Sequence, residues 1–325
     1  GLAAPWTPII SNQSVDLTAS DTTSGIGTGS ILINGDVFFD TYDLFLQSGG
    51  GDISVASATS LGYLPTTGSG SVFFFGAPSG LISLQSPDYL ELSGDPNSIF
   101  LQAQRVQLDG ALGVILNNAS IQASDTSLST PALSVSSTLG SVTLSGITLN
   151  APSISISGQT GVSISSYSQI FATDPLGEVA IDAAGGAINL DASYIQSPSI
   201  RFNAGGSDSL GWGILLTNSP AASGFGLLGF ADILLNASTG GLSIDSSSLV
   251  APQIDLFAAS NQLLISASDL FSNGPDGGSV FLTAQGSTPL VVSNSTIDAA
   301  YDAADPLYVS DPSLYGLGGL IDAVG

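Results

Sequence analysis

The chain has 325 residues, 43% of them hydrophobic and only 9% charged. A composition rich in apolar residues and poor in charge is the opposite of a disordered one. Twenty-six acids stand against Arg105 and Arg201, with no Lys and no His, giving a net charge of −24; this excludes nucleic acid and anionic membrane surfaces as partners and favours divalent cations or acidic, salty surroundings.

Cys and Met are both absent. There is thus no disulfide framework and no thiolate metal site, and Gly1 reads as a processed end or a fragment boundary of an exported chain. Residues 1–8 carry no basic region and no long apolar run, unlike an intact signal peptide. No apolar run approaches the 18 or so residues of a membrane-spanning helix.

Residues 1–28 contain Ala-Pro-Trp-Thr-Pro-Ile-Ile and are poorly periodic, so they are expected to form an N-terminal tail. From residue 29 apolar residues recur at every second place in short runs: Ile31 and Ile33, Ile53 and Val55, Val72 and Phe74, Ile82 and Leu84, Ile99 and Leu101. Such runs predict half-buried strands. Gly and Pro punctuate them, and no segment offers a helical stripe; only Asp298–Asp305 could make one turn.

Internal repeats then decide the fold. Three segments of 18 residues align without a gap: SVTLSGITLNAPSISISG from Ser141, AINLDASYIQSPSIRFNA from Ala187 and GLSIDSSSLVAPQIDLFA from Gly241. Apolar residues fill the second, fourth, ninth, fourteenth and sixteenth places, and Pro152, Pro198 and Pro252 share the twelfth. A fourth copy is read from Ser120, with Pro131 in that slot. Looser copies open at Val162, Ile214, Leu263 and Leu290. Successive openings from Ile121 lie 20 to 28 residues apart, and the excess falls in loops such as Asp174–Gly177. Stacked coils keep one character per slot because equivalent side chains lie about 4.8 Å apart in columns. Antiparallel hairpins have no reason to repeat Pro at one place. The predicted fold is all-β: a single-stranded parallel β-helix (β-solenoid) of about ten to twelve coils across residues 29–300, with tails at 1–28 and 301–325, all in one structural domain.

The segments SGITLNAPSISISG, SSLVAPQIDLFA and SYIQSPSIRFNA resemble the coils of filamentous haemagglutinin and related two-partner-secretion exoproteins. The resemblance covers about residues 29–300. It implies a right-handed helix and a secreted adhesin, cytolysin or toxin-carrying stalk. The Asn-Pro-Asn motifs of that family's secretion domain are absent from this sequence, and no toxin module is visible.

Many parallel β-helices cleave polysaccharides. A lyase needs a strong base, and Arg105 and Arg201 are the only candidates; both lie between inward residues and should point outward to tie nearby Asp. Serine and cysteine triads need His, and the Gly-His-Gly motif of polygalacturonases is absent. The expectation is no enzyme and no cofactor apart from candidate Ca²⁺ at Asp298, Asp302, Asp305 and Asp311, with Asp36, Asp40 and Asp43 as a second acidic group. Asn12, Asn118, Asn236 and Asn294 head Asn-x-Ser/Thr triplets. The aromatics Phe73–Phe75, Tyr167, Phe171, Phe202 and Phe257 are expected in core columns, with a sugar-binding strip the minority reading. Trp6 and Trp212 are placed in irregular segments.

Both tails are apolar, and solenoid ends expose strand edges that template further pairing. Trp6, Ile9, Ile10, Leu317, Leu320 and Ile321 are therefore expected to bind neighbouring copies, end to end or by strand donation. The expected function is a structural subunit of an extracellular filament or surface fibre. An adhesin stalk recognising host or surface glycans is the alternative, and a polysaccharide-active enzyme a distant third.

Overall fold

A computed structural model describes residues 99–127, 129–217, 226–272, 278–285 and 290–299. It also gives ten further strand segments, between Ile9 and Ser93 and at Leu320–Val324. Side chains are described in 81–86, 89–92 and the runs from 99 to 299, apart from the breaks between those runs. Every described regular element is a strand. Every strand pairing with a described register is parallel, so the fold is a β-solenoid as expected. About eight turns are described in full, fewer than the ten to twelve expected; rungs beyond them are seen as backbone alone. The chain divides into two compact units, residues 1–158 with 168–170 and residues 159–167 with 171–325.

In the first unit each coil gives one strand to each of three parallel stacks. The first runs from Ile9–Ser11 through Val37–Phe39, Leu61–Tyr63, Tyr89–Ser93 and Gly113–Asn117 to Ser141–Ser145. The second begins at Val15–Ala19 and ends at Thr148–Ala151; the third begins at Ile31–Asn34 and ends at Ile154–Gly158. Two long strands, Phe73–Ser86 and Ile99–Gly110, serve both of these stacks, bending where the register shifts between Ala103 and Arg105.

The second unit repeats the plan. Its first stack runs from Gly161–Ser165 to Val291–Ser293. The second starts in Tyr194–Ala204 and ends at Thr296–Asp298; the third starts at Glu178–Ala183 and ends at Leu320–Val324.

Register turns the alternating sequence into columns. Ile82, Val106, Leu133 and Ile154 lie one above another in the first unit, all buried. Val179, Ile200, Ile233, Ile254 and Val280 do so in the second. Beside them runs an alanine column, Ala183, Ala204, Ala237, Ala258 and Ala284, all buried. Each fully buried Ile or Leu contributes about 1.5–3 kcal/mol.

The fourth repeat copy needs correcting. Its Pro131 slot holds, since Leu133 pairs with Ile154. Ile121, however, pairs with Leu149 on the second stack, and the coil opens at Val114 and Leu116, opposite Val142 and Leu144. Residues 124–127 and 129–130 lie outside any strand. Ile121 and Ala123 imitate an opening pair because every inward pair in a solenoid has the same two-residue spacing.

Six described corners after first-stack strands are each made by one residue in the left-handed region, and the corner after Gly161–Ser165 by two, Ser166 and Tyr167. Asn118, Gly146, Ala192, Ser246, Ala267 and Asn294 have φ between 44° and 61°. Most are not glycine, although that conformation costs an L-residue about 1–2 kcal/mol. The corner's backbone ladder offsets the cost: Ala192 N–H donates to Thr217 O at 2.9 Å, Ser246 to Ser266 O at 2.9 Å and Ala267 to Ser293 O at 3.0 Å. A serine follows in four corners of the second unit. The hydroxyls of Ser193, Ser247, Ser268 and Ser295 each donate to the carbonyl two residues back, at 2.7–2.9 Å.

Candidate functional site

Both arginines point outward and both are paired. The Arg105 guanidinium donates from Nε to the Asp125 carboxylate, which also accepts the Ser127 N–H at 3.0 Å. The Arg105 hydrogen bond first, and the Ser127 bond second, hold the Asp125 carboxyl below its ordinary value against the opposing effect of burial. Arg201 reaches Glu178 Oε1 at 3.3 Å on the neighbouring rung. Each arginine side chain is about half exposed, 46% for Arg105 and 47% for Arg201. They tie acids, as the sequence reading anticipated.

The acids obey a stacking rule. On the first stack of the second unit the order is Asp191, Thr217, Asp245, Ser266. Thr217 donates its hydroxyl to Asp191 at 2.9 Å, and Ser266 donates to Asp245. Elsewhere Asn203 donates to Asp182 at 2.9 Å, Ser199 to Asp232, and Ser136 to Asp109. Among the described pairings no acid lies directly opposite another acid. Like charges on adjacent rungs repel, so hydroxyl and amide donors between them let a chain this acidic stack.

A cavity of about 10 Å³ in the second unit is lined by Leu190, Ser193, Leu216, Thr217, Leu227, Ser247 and Leu249. That volume is the size of about one water, too little for a substrate.

Three edges close the second unit among the described pairings. Val291–Ser293, Thr296–Asp298 and Leu320–Val324 each pair on one side only, with Leu263–Ser266, Asp269–Phe271 and Ser279–Ala284. In the first unit Ile9–Ser11, Val15–Ala19 and Ile31–Asn34 likewise pair only with Val37–Phe39, Leu44–Ser48 and Ile53–Ala56. Each set carries one strand per stack. Ile9, Ile10, Leu320 and Ile321, expected to act in assembly, therefore form rungs on their own chain, and their strands' other edges have no partner among the described residues. Trp6 and Leu317 lie outside the described residues.

Other expectations map unevenly. Asp298 is exposed on its strand, whereas Asp302, Asp305, Asp311, Asp36, Asp40 and Asp43 lie outside the described residues. Asn118 and Asn294 occupy left-handed corners, Asn236 sits in a strand facing Asn203, and Asn12 is outside the described residues. Of the aromatics expected in the core, Phe202 is fully buried. Phe171 and Phe257 are half-buried, and Tyr167 is 59% exposed. Phe171 and Phe257 fall on outward places of the alternation, and Tyr167 on a corner with φ of 61°. Phe73–Phe75 are seen as strand backbone only. Trp212 opens a regular strand instead of an irregular segment, and a Cβ on the opposing Gly241 would meet its ring at 2.8 Å. Sequence reasoning missed the outward apolar column Leu228, Val250 and Phe271; it becomes visible only once register sets residues from three coils side by side.

In comparisons with known proteins, no family model, no curated protein and no solved structure matches this chain.

Proposed function

We propose that this chain is a structural subunit of an extracellular filament or surface fibre, assembling head to tail through the edges of its solenoid. The observation that carries this is the pair of open strand sets, one strand per stack in each, with parallel polarity throughout. Open parallel edges template further pairing, and chains that stack this way form open polymers. Repeat segments like those of filamentous haemagglutinin support an exported, fibrous role. The test is negative-stain electron microscopy of the purified chain with diffraction from aligned samples. Long uniform fibres with a meridional spacing of about 4.8 Å are expected; dispersed short particles at every concentration would sink the filament reading.

A second reading, an adhesive surface for host or surface glycans, is supported by the outward-facing Phe230 and Phe271, 56% and 37% exposed. Apolar and aromatic side chains at the surface mark binding faces. Glycan-array binding lost on Phe271→Ser with the fibres intact would favour it.

A further inference from the structure

The outward side of the second stack in the second unit carries a run of apolar residues. Gln196 pairs with Leu228, Leu228 with Val250 and Val250 with Phe271. Phe230, two residues past Leu228 on the same strand, is 56% exposed, and Phe271 is 37% exposed. Pro252, two residues past Val250, is half-buried. The stacking does not call for this. In the second stack of the first unit the outward column is Gln102, Gln122 and Asn150. A solenoid of this plan therefore accepts amides in such a column, so packing alone does not require Leu, Val and Phe there. Apolar surface without a packing role marks a binding face.

Acids border the column. Asp269 is exposed, on the same strand and the same outward side as Phe271, about 7 Å before it. Asp232 lies two residues past Phe230 and accepts the Ser199 hydroxyl. The second unit has one basic residue, Arg201, and it is tied to Glu178.

We propose that this column and its two acids bind a glycan carrying free amino groups, with sugar rings on Phe230 and Phe271 and ammonium groups at Asp232 and Asp269. The proposal rests on the adhesive reading above and names its ligand class. The C–H face of a sugar ring packs on an aromatic face, whose quadrupole is negative. An ammonium on that ring is drawn to the carboxylate beside it. The net charge of −24 adds long-range attraction for a cationic ligand and repels glycans that carry carboxylates or sulfates. It also disfavours a second copy of this chain as the occupant, which would lay acids against acids at the same margin.

Calorimetric titration of the full chain at pH 5.5 tests this with β-1,4-linked glucosamine oligomers, their N-acetylated counterparts and oligogalacturonate. At that pH amines are protonated and exposed carboxylates are charged. The glucosamine oligomer should bind about tenfold tighter than the N-acetylated one, the scale of two exposed ion pairs. Oligogalacturonate should not bind. Asp269→Asn should cut the preference about threefold and leave N-acetylated binding unchanged. Phe271→Ser should weaken both, with circular dichroism unchanged. Equal affinity for the two forms, still lost in Phe271→Ser, would overturn the amino-group assignment and leave the adhesive reading standing. A preference untouched by both substitutions, or equally tight binding of an oligolysine of the same charge, would overturn the site and assign the binding to diffuse charge. No binding of any oligomer would overturn both the site and the adhesive reading.

Discussion

Ser268 accepts the backbone N–H of Ser247 on its hydroxyl oxygen at 3.1 Å, across the gap between two coils. The same hydroxyl donates to Ser266 O at 2.7 Å, so one buried side chain satisfies a donor in one coil and an acceptor in its own. Ser295 repeats the device for the Ser268 N–H at 3.1 Å. At these corners a side chain carries the ladder that backbone carbonyls carry along the strands.

Removing that hydroxyl leaves the Ser247 N–H buried without its acceptor. Ser268→Ala should lower stability by about 1–3 kcal/mol, read as an earlier midpoint in urea unfolding. Ser295→Ala, at a half-buried corner, should cost less. Equal, negligible shifts for both would show that water replaces the serine hydroxyl.

The residue before Ser268 is Ala267, at φ of 47°. Alanine is strained there and glycine is not. Ala267→Gly should raise stability by about 0.5–1 kcal/mol, the relief of strain exceeding the added entropy of the unfolded chain. Ala267→Val should lower it. The pair is checked by thermal unfolding, and a loss of stability in the glycine variant would refute the strain assigned to this corner.

The hydroxyl between Asp191 and Asp245 predicts a pH-dependent effect. Thr217→Asp sets three carboxylates on consecutive rungs and removes the donor to Asp191. Repulsion raises the pKa of the inserted group in the folded state, so the destabilisation is present above that pKa and fades as pH falls through it. A loss of about 1–3 kcal/mol at pH 7 should shrink near pH 4 and in molar salt. Thr217→Asn should be milder at pH 7 and independent of pH. A Thr217→Asp loss that persists at pH 4 would mean that packing, not charge, fills this slot.

These contacts mark how far the sequence could be read. The inward slots were legible: Val142, Leu144, Leu149, Ile154 and Ile156 are all buried, as are their counterparts one and two repeats on. Burial follows from period-two alternation, which a linear sequence displays directly. The corner serines were equally visible as letters, but their role depends on which residue lies in the next coil. That register is set by coil length, and coil length by the excursions that varied most. Ile121 was misplaced for the same reason. The outward columns, Asp against Thr or Leu228 against Val250 and Phe271, are relations between coils and emerge only from the stacked structure.

Arg105 and Asp125 give the last prediction. The carboxyl of Asp125 is depressed by the guanidinium and by the Ser127 N–H. A carboxyl whose folded pKa lies below its unfolded value contributes stability that is fully present above the unfolded pKa and is lost as pH falls through the folded one. Arg105→Ala should therefore unfold at a lower temperature than wild type at pH 7, and the gap should close on acidification below the ordinary carboxylate range. Because the arginine is about half exposed, the gap at pH 7 should be small and should narrow in molar salt. Asp125→Asn keeps an acceptor for Ser127 while losing the charge, so it should match Arg105→Ala near pH 7 if the pair acts through charge. A larger loss in Asp125→Asn would assign the stability to the Ser127 turn.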